Sequence, residues 1–254
     1  FGEEDAGAGE FQLTGTRLVA VSRCGGRPVS AAMPPAAVAL TILPGDDPLG
    51  ALGTLASLGS SPRGPTPAGW CSWYELFDRV TEADVIANLD VARREFDPHA
   101  FRLMQLDDGY QRAAGDWDTN DKFPHGHRWL TDQIHAAGFE AGLWIAPFAV
   151  TERSGIPAAH PDWLLLGEDG APLPFDDQPH WGGRAWGLDA AQRDVQDFLR
   201  DLTRHAVAAW GYDYLKLDFL YYGARGTRPG RRLGPTEAYR AGMRALREGA
   251  GRAF

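Results

Sequence analysis

From Pro67 onward, apolar runs of strand length alternate four times with stretches whose apolar residues recur every three or four positions. The runs are PAGWCSW (67–73), FRLMQL (101–106), FEAGLWI (139–145) and YDYLKLDF (212–219). The first helical stretch opens on Thr81-Glu82-Ala83-Asp84, with Thr81 as N-cap, and carries Val85, Leu89, Ala92 and Phe96 on one face. The second carries Leu130, Ile134 and Ala137 and closes at Gly138. The third is expected to be capped by Asp189 and carries Val195, Phe198, Leu199, Leu202 and Ala206, with Gly211 after it. The fourth begins at Pro235-Thr236-Glu237 and carries Tyr239, Met243 and Leu246. Strand and helix in strict alternation predict a parallel sheet with right-handed crossovers. A closed barrel of this kind needs eight such units. The expected fold is therefore α/β, a (β/α)8 TIM-type barrel of which residues 68–254 supply about the first four units.

Two intervals are read differently. Residues 111–126, QRAAGDWDTNDKFPHG, read as a long polar loop, and 151–188 as a hairpin over the Asp-Gly turn of LLLGEDGAPL followed by the aromatic, Gly-rich HWGGRAWG. Before the barrel, residues 11–43 hold short apolar runs broken by Cys24-Gly25-Gly26-Arg27-Pro28 and Pro34-Pro35. We read 1–59 as the end of a β-rich, β-sandwich domain with a short helix near LGALGTLASLGSS, and 60–67, with three prolines, as a linker. A first residue that is Phe1 rather than Met, and a last stretch that reads as helix, lead to the expectation that the chain is part of a longer one.

Barrels place their chemistry at the carboxyl ends of the strands. There this sequence puts Trp73, then Asp107 and Asp108, then Trp144, then Lys216 and Asp218. Lys216 and Asp218 are two positions apart, so on a strand they share a face. A lysine beside a carboxylate keeps it ionised, as a nucleophile requires, although a plain structural ion pair has the same signature. Carboxylates accept from sugar hydroxyls, an ammonium donates, and indole faces pack against the apolar face of a pyranose. Taken singly, Asp107-Asp108-Gly109 is an ordinary turn and each tryptophan a core residue; the argument rests on their co-location. His125-Gly126-His127 lacks a third ligand for a metal and reads as a solvated loop, and Arg225, Arg228, Arg231 and Arg232 as a solvated loop face. No cofactor or metal is expected.

A net charge of -9 argues against nucleic acid or an anionic membrane as partner, and no apolar run reaches transmembrane length. Cys24 and Cys71 read as free thiols, which with the lack of a leader-like start makes the cytoplasm the expected location.

GWCSWYELFDRVTEADVIANL, LDDGYQ, AGLWIAPF and YDYLKLDF, in this order, resemble the catalytic barrel of the α-galactosidases of glycoside hydrolase family 36, in the clan with family 27 and the raffinose synthases. The resemblance implies a retaining glycosidase that releases terminal α-linked galactose from raffinose- or melibiose-type oligosaccharides by double displacement. It implies Asp218 as nucleophile, Lys216 as a ligand to sugar hydroxyls, Asp107 and Asp108 as the pair that grips the 4- and 6-hydroxyls, and Trp73 and Trp144 as walls. Arg184 in GGRAWGLD aligns with a family arginine. Many relatives have Glu-Pro-Glu-Met-Val where this chain has Ala146-Pro147-Phe148-Ala149-Val150, and Asn where it has Leu220. The family's acid/base, a later Asp, has no counterpart here, so the chain alone is expected to be inactive. A raffinose-synthase-like transferase, an α-N-acetylgalactosaminidase and a non-catalytic carbohydrate-binding half-barrel are the other readings. Assembly as a homo-oligomer is left open.

Overall fold

Four parallel strands in sequential order form the central sheet: β1 (Gly69–Cys71), β2 (Leu103–Leu106), β3 (Glu140–Ile145) and β4 (Tyr214–Leu217). The structure, a computed structural model, describes residues 9–14, 17–22, 47, 49–50, 67–167, 169–225 and 233–251. Cys71 pairs with Gln105 and Gln105 with Gly142, while Lys216 pairs with Trp144, so the carboxyl ends of the strands align. A doubly wound sheet would reverse its order at some point; this one does not, and it forms an arc of a barrel.

Each strand is followed by a helix: α1 (Glu82–Glu95), α2 (Gly126–Ala136), α3 (Arg193–Ala208) and α4 (Pro235–Ala250). The Thr81 cap forms as its sequence predicts, a reciprocal box in which Thr81 Oγ1 accepts from the Asp84 N–H and Asp84 accepts from the Thr81 N–H at 2.9 Å. Val85, Leu89 and Ala92, then Leu130 and Ile134, then Val195, Leu199 and Ala206 face the strands, where Met104, Leu106, Ala141, Leu143 and Ile145 complete the core. Phe96 is the exception: it lies half-exposed past the end of α1 and stacks on Phe101 at 4.4 Å.

Several expectations need correction. The first strand stops at Cys71, and Trp73 opens a single helical turn, Trp73–Leu76. The fourth strand is only Tyr214–Leu217, and it is half-buried because β4 is an edge of the sheet among the described residues. Asp189 does not cap α3, whose N-cap is Gln192; the Asp189 carboxylate instead accepts from the Ala191 N–H in a turn one step earlier. The polar loop 111–126 contains a hairpin, Gln111–Ala113 with Asp116–Thr119, and α2 already starts at Gly126. The interval after β3 holds a three-stranded antiparallel sheet of Ala149–Thr151, Gly183–Gly187 and Pro174–Gln178, while Leu166 bridges Pro172 across the expected Asp-Gly turn.

Upstream, Gly9–Thr14 pairs antiparallel with Arg17–Ser22. The expected turn at Cys24–Pro28, the stretch from Pro34 to Asp46, nearly all of the expected short helix and linker, and Arg228, Arg231 and Arg232 lie outside the described residues. Among the described residues, no helix is long and apolar enough to cross a membrane.

Candidate active site

Asp107 and Asp108 follow β2 directly and enter the barrel mouth through a turn that only glycine can close. Gly109 has φ of 112°, and a Cβ there would lie 2.6 Å from the Asp78 carbonyl oxygen. Asp107 is buried and its Oδ2 is the hub of the site. It accepts from Lys216 Nζ at 2.9 Å, Gln105 Nε2 at 2.6 Å and Cys71 Sγ at 3.3 Å. Its backbone N–H donates to Ser72 Oγ, tying the ends of β1 and β2 together. Gln105 reaches this position because residue 142 is glycine; a Cβ there would press on the Gln105 side chain at 3.1 Å.

Asp108 is held by a different set. Gln111 Nε2 donates to Oδ1 at 2.6 Å and Trp181 Nε1 to Oδ2 at 2.7 Å, with His180 Nε2 3.4 Å from the same Oδ2. Burial pushes the Asp108 carboxyl above its usual range, and the Trp181, Gln111 and His180 contacts oppose that shift.

Asp218 stands just past β4, where its N–H donates to the Ile145 carbonyl at 2.9 Å. Its Oδ2 accepts from Trp144 Nε1 at 3.0 Å and lies 3.8 Å from Lys216 Nζ; its Oδ1 accepts from the Phe219 N–H at 2.8 Å. Phe219 itself adopts φ of 49°, a left-handed backbone that a bulky residue rarely occupies. Burial alone pulls the Lys216 ammonium toward deprotonation, but the Asp107 hydrogen bond and charge, helped by Cys71 and Asp218, raise it overall. Lys216 therefore stays a cation between two carboxylates.

These groups surround one cavity of about 330 Å³, lined by Trp73, Trp144, Trp181 and Phe219 together with Asp107, Asp108, Lys216 and Asp218. Trp144 is both a core residue, 1% exposed, and a wall of the cavity. Burial first, then the Asp107 charge, raises the Cys71 thiol to about 11, so it donates to Asp107 as a neutral thiol.

Six of the seven residues singled out in the sequence thus meet in one place. Arg184 does not. It is exposed on the strand Gly183–Gly187 and, with Trp186 two positions on, lines a separate groove of about 480 Å³ that also holds Glu152. Strand alternation explains this: Ala185 and Gly187 take the buried side, so Arg184 faces away.

His127 is also corrected. It is not in a solvated loop but buried in the first turn of α2, with Nδ1 2.9 Å from the Tyr212 hydroxyl and Nε2 2.9 Å from the Trp117 carbonyl. Burial lowers its pKa to about 4, so both bonds are those of a neutral ring. His125, half-exposed, pairs with Glu82 at 2.6 Å.

Residues absent from the sequence reading are Gln105, Gln111, Gln178, His180, Trp181 and Phe219. Gln105 was accessible in principle, since it stands two positions before Asp107 on a strand and shares its face. His180 and Trp181 carry no such signal, because their position depends on how the Gly182-Gly183 turn folds back over the sheet.

Carboxylates, one ammonium and three indoles thus line one mouth at the carboxyl ends of parallel barrel strands. A family model described as Melibiase matches residues 82–223, more than half of the chain. A solved structure of TtGalA, the α-galactosidase of Thermus thermophilus in complex with p-nitrophenyl α-D-galactopyranoside, is 42% identical with a TM-score of 0.65, over 76% of this chain and 38% of that one. Alpha-galactosidase AgaA of Geobacillus stearothermophilus is 31% identical over 46% of this chain. The A type blood alpha-D-galactosamine galactosaminidase of Flavonifractor plautii is 31% identical over 60% of it. The chain belongs to the Melibiase family, with family 36 α-galactosidases as its relatives. It spans only 16% and 14% of the lengths of the last two.

Proposed function

We propose that these residues form the galactose-binding half of a retaining exo-α-galactosidase in which Asp218 is the nucleophile. The observation that carries this reading is the Asp218 carboxylate itself. Each oxygen is held by one N–H donor, from Trp144 and from Phe219, and the residue lines the same cavity as Asp107 and Asp108. A carboxylate so fixed has a lone pair to direct at an anomeric carbon and needs no reorientation to attack.

In this reading Asp107 and Asp108 accept from glycon hydroxyls while Lys216 donates to a third, and Trp73 and Trp144 close the pocket around the ring. Asp218 forms a bond to the anomeric carbon as the glycosidic oxygen departs with a proton; water then releases galactose. Asp107 is tied to Lys216 and Gln105, and Asp108 to Trp181 and Gln111, and this reading uses their remaining lone pairs for glycon hydroxyls, not as the acid/base. We assign that role to a carboxyl group outside this segment. The substrate class we infer is a terminal α-galactoside such as stachyose, the ligand in a second complex of the Thermus thermophilus enzyme.

The test uses the full-length gene product and p-nitrophenyl α-galactopyranoside, with the first-formed sugar followed by proton NMR. Retention predicts α-galactose as the first product, and loss of turnover by at least about a thousandfold in Asp218→Asn. Release of the β-anomer first, or near-normal turnover by Asp218→Asn, would overturn the assignment.

A further inference from the structure

The cavity contains a polar side chain that neither strand ends nor family motifs predict. His180 stands in the short turn Pro179–Trp181, between the strands Pro174–Gln178 and Gly183–Gly187. The turn is rigidly anchored. The Trp181 carbonyl accepts from the Ala114 N–H at 3.0 Å and from Thr151 Oγ1 at 2.8 Å. The Trp181 indole is 1% exposed, donates to Asp108, and meets Phe219 edge-on at 4.6 Å between centroids. After it, Gly182 has φ of 111° and passes so close to Arg153 that a Cβ would lie 2.7 Å from that residue's own Cβ. The backbone of His180 is therefore set by its neighbour, and its imidazole, 34% exposed, lines the cavity.

Its contact with Asp108 is incomplete. At 3.4 Å, Nε2 is too distant for a strong bond, and the oxygen it faces already accepts from Trp181 at 2.7 Å. A hydroxyl entering the cavity supplies what both groups lack. It donates its proton to the remaining lone pair of Asp108 and accepts from the imidazole N–H, whereas Gln111 and Trp181 are already committed to the carboxylate. Arg184, the cation that the sequence suggested for this region, lies in the separate groove and cannot do this.

We propose that His180 is a specificity-determining residue which, with Asp108, clamps a single hydroxyl of the glycon. The inference rests on the α-galactoside reading above and adds to it a group that recognises one position of the sugar. A clamp of donor and acceptor penalises a sugar without that hydroxyl, because both partners are then left unpaired in a closed site.

The experiment measures kcat/KM of the full-length protein, of His180→Ala and of His180→Gln on p-nitrophenyl α-galactopyranoside and on its 4-deoxy and 6-deoxy analogues. His180→Ala should lose about tenfold or more on the parent substrate and about twofold or less on one of the two deoxy analogues. His180→Gln, which keeps a donor, should retain most of the wild-type preference for the parent. An equal loss on all three substrates would mean that His180 acts only by supporting Asp108, and no loss on any would mean that it touches no hydroxyl; either result overturns the proposal. Wild-type protein inactive on all three would instead overturn the α-galactosidase reading itself.

Discussion

Trp144 and Asp218 meet through one hydrogen bond, 3.0 Å from the indole Nε1 to the carboxylate Oδ2. Trp144 pairs in register with Lys216, so the donor sits one strand away from the acceptor and cannot drift from it. Trp144→Phe removes the donor and, at a side chain 1% exposed, part of the buried ring system. A hydrogen bond to a charged group is worth about 1.5–3 kcal/mol, so kcat/KM on an aryl α-galactoside should fall about tenfold to a hundredfold, and the melting temperature should fall as well because a buried void is left. Unchanged kinetics would show that Lys216 and Phe219 suffice to orient the carboxylate.

His127 should make the protein sensitive to mild acid. Its folded pKa of about 4 lies below the 6.5 of an exposed imidazole, so between those pH values the unfolded chain binds the extra proton. The stability it contributes is complete above about pH 6.5 and declines as pH falls, by at most about 1.4 kcal/mol per unit. Urea midpoints of wild type and His127→Gln should converge between pH 7 and pH 4.5. A stability difference that does not vary with pH would rule out this residue as the source.

Gly249 reverses a usual preference. In an exposed helix, Gly→Ala stabilises by about 1 kcal/mol. Here a Cβ would lie 2.0 Å from the Arg200 carbonyl oxygen and 2.2 Å from Thr203 Oγ1, where α4 crosses α3 and Thr203 donates to the Leu246 carbonyl at 2.8 Å. Gly249→Ala should therefore destabilise, by about 1–3 kcal/mol. Thermal melts check it, and a raised melting temperature would mean that the two helices separate at little cost.

Periodicity was enough to locate the four strands and four helices, because burial on one face leaves a pattern that needs no partner to be read. The Thr81–Asp84 box was legible for the same reason: all its atoms lie within four residues. What failed was non-local or competing. Asp189 looked like a cap, but its chain turns once more before α3 begins at Arg193. His127 reads as solvated because Asn120, Asp121, Lys122 and His125 precede it, while the residues that bury it, Tyr212 and Trp210, are more than eighty positions away. Strand ends indicated six residues that the structure brings together; Arg184 failed because a motif does not fix which side of a strand it occupies.

The arm that carries His180 and Trp181 leaves and rejoins the barrel at paired residues, Val150 with Trp186 and Ala149 with Gly187. Asp218, Lys216 and Trp144 belong to the barrel strands and their ends, not to that arm. The Asp218 carboxylate and the His180 imidazole thus reach one cavity from separate parts of the chain, held in register by a short antiparallel seam. Because Trp181 on that arm donates to Asp108 and meets Phe219 edge-on, a change of sequence in the arm reaches both the carboxylate after β2 and the residue whose N–H holds Asp218.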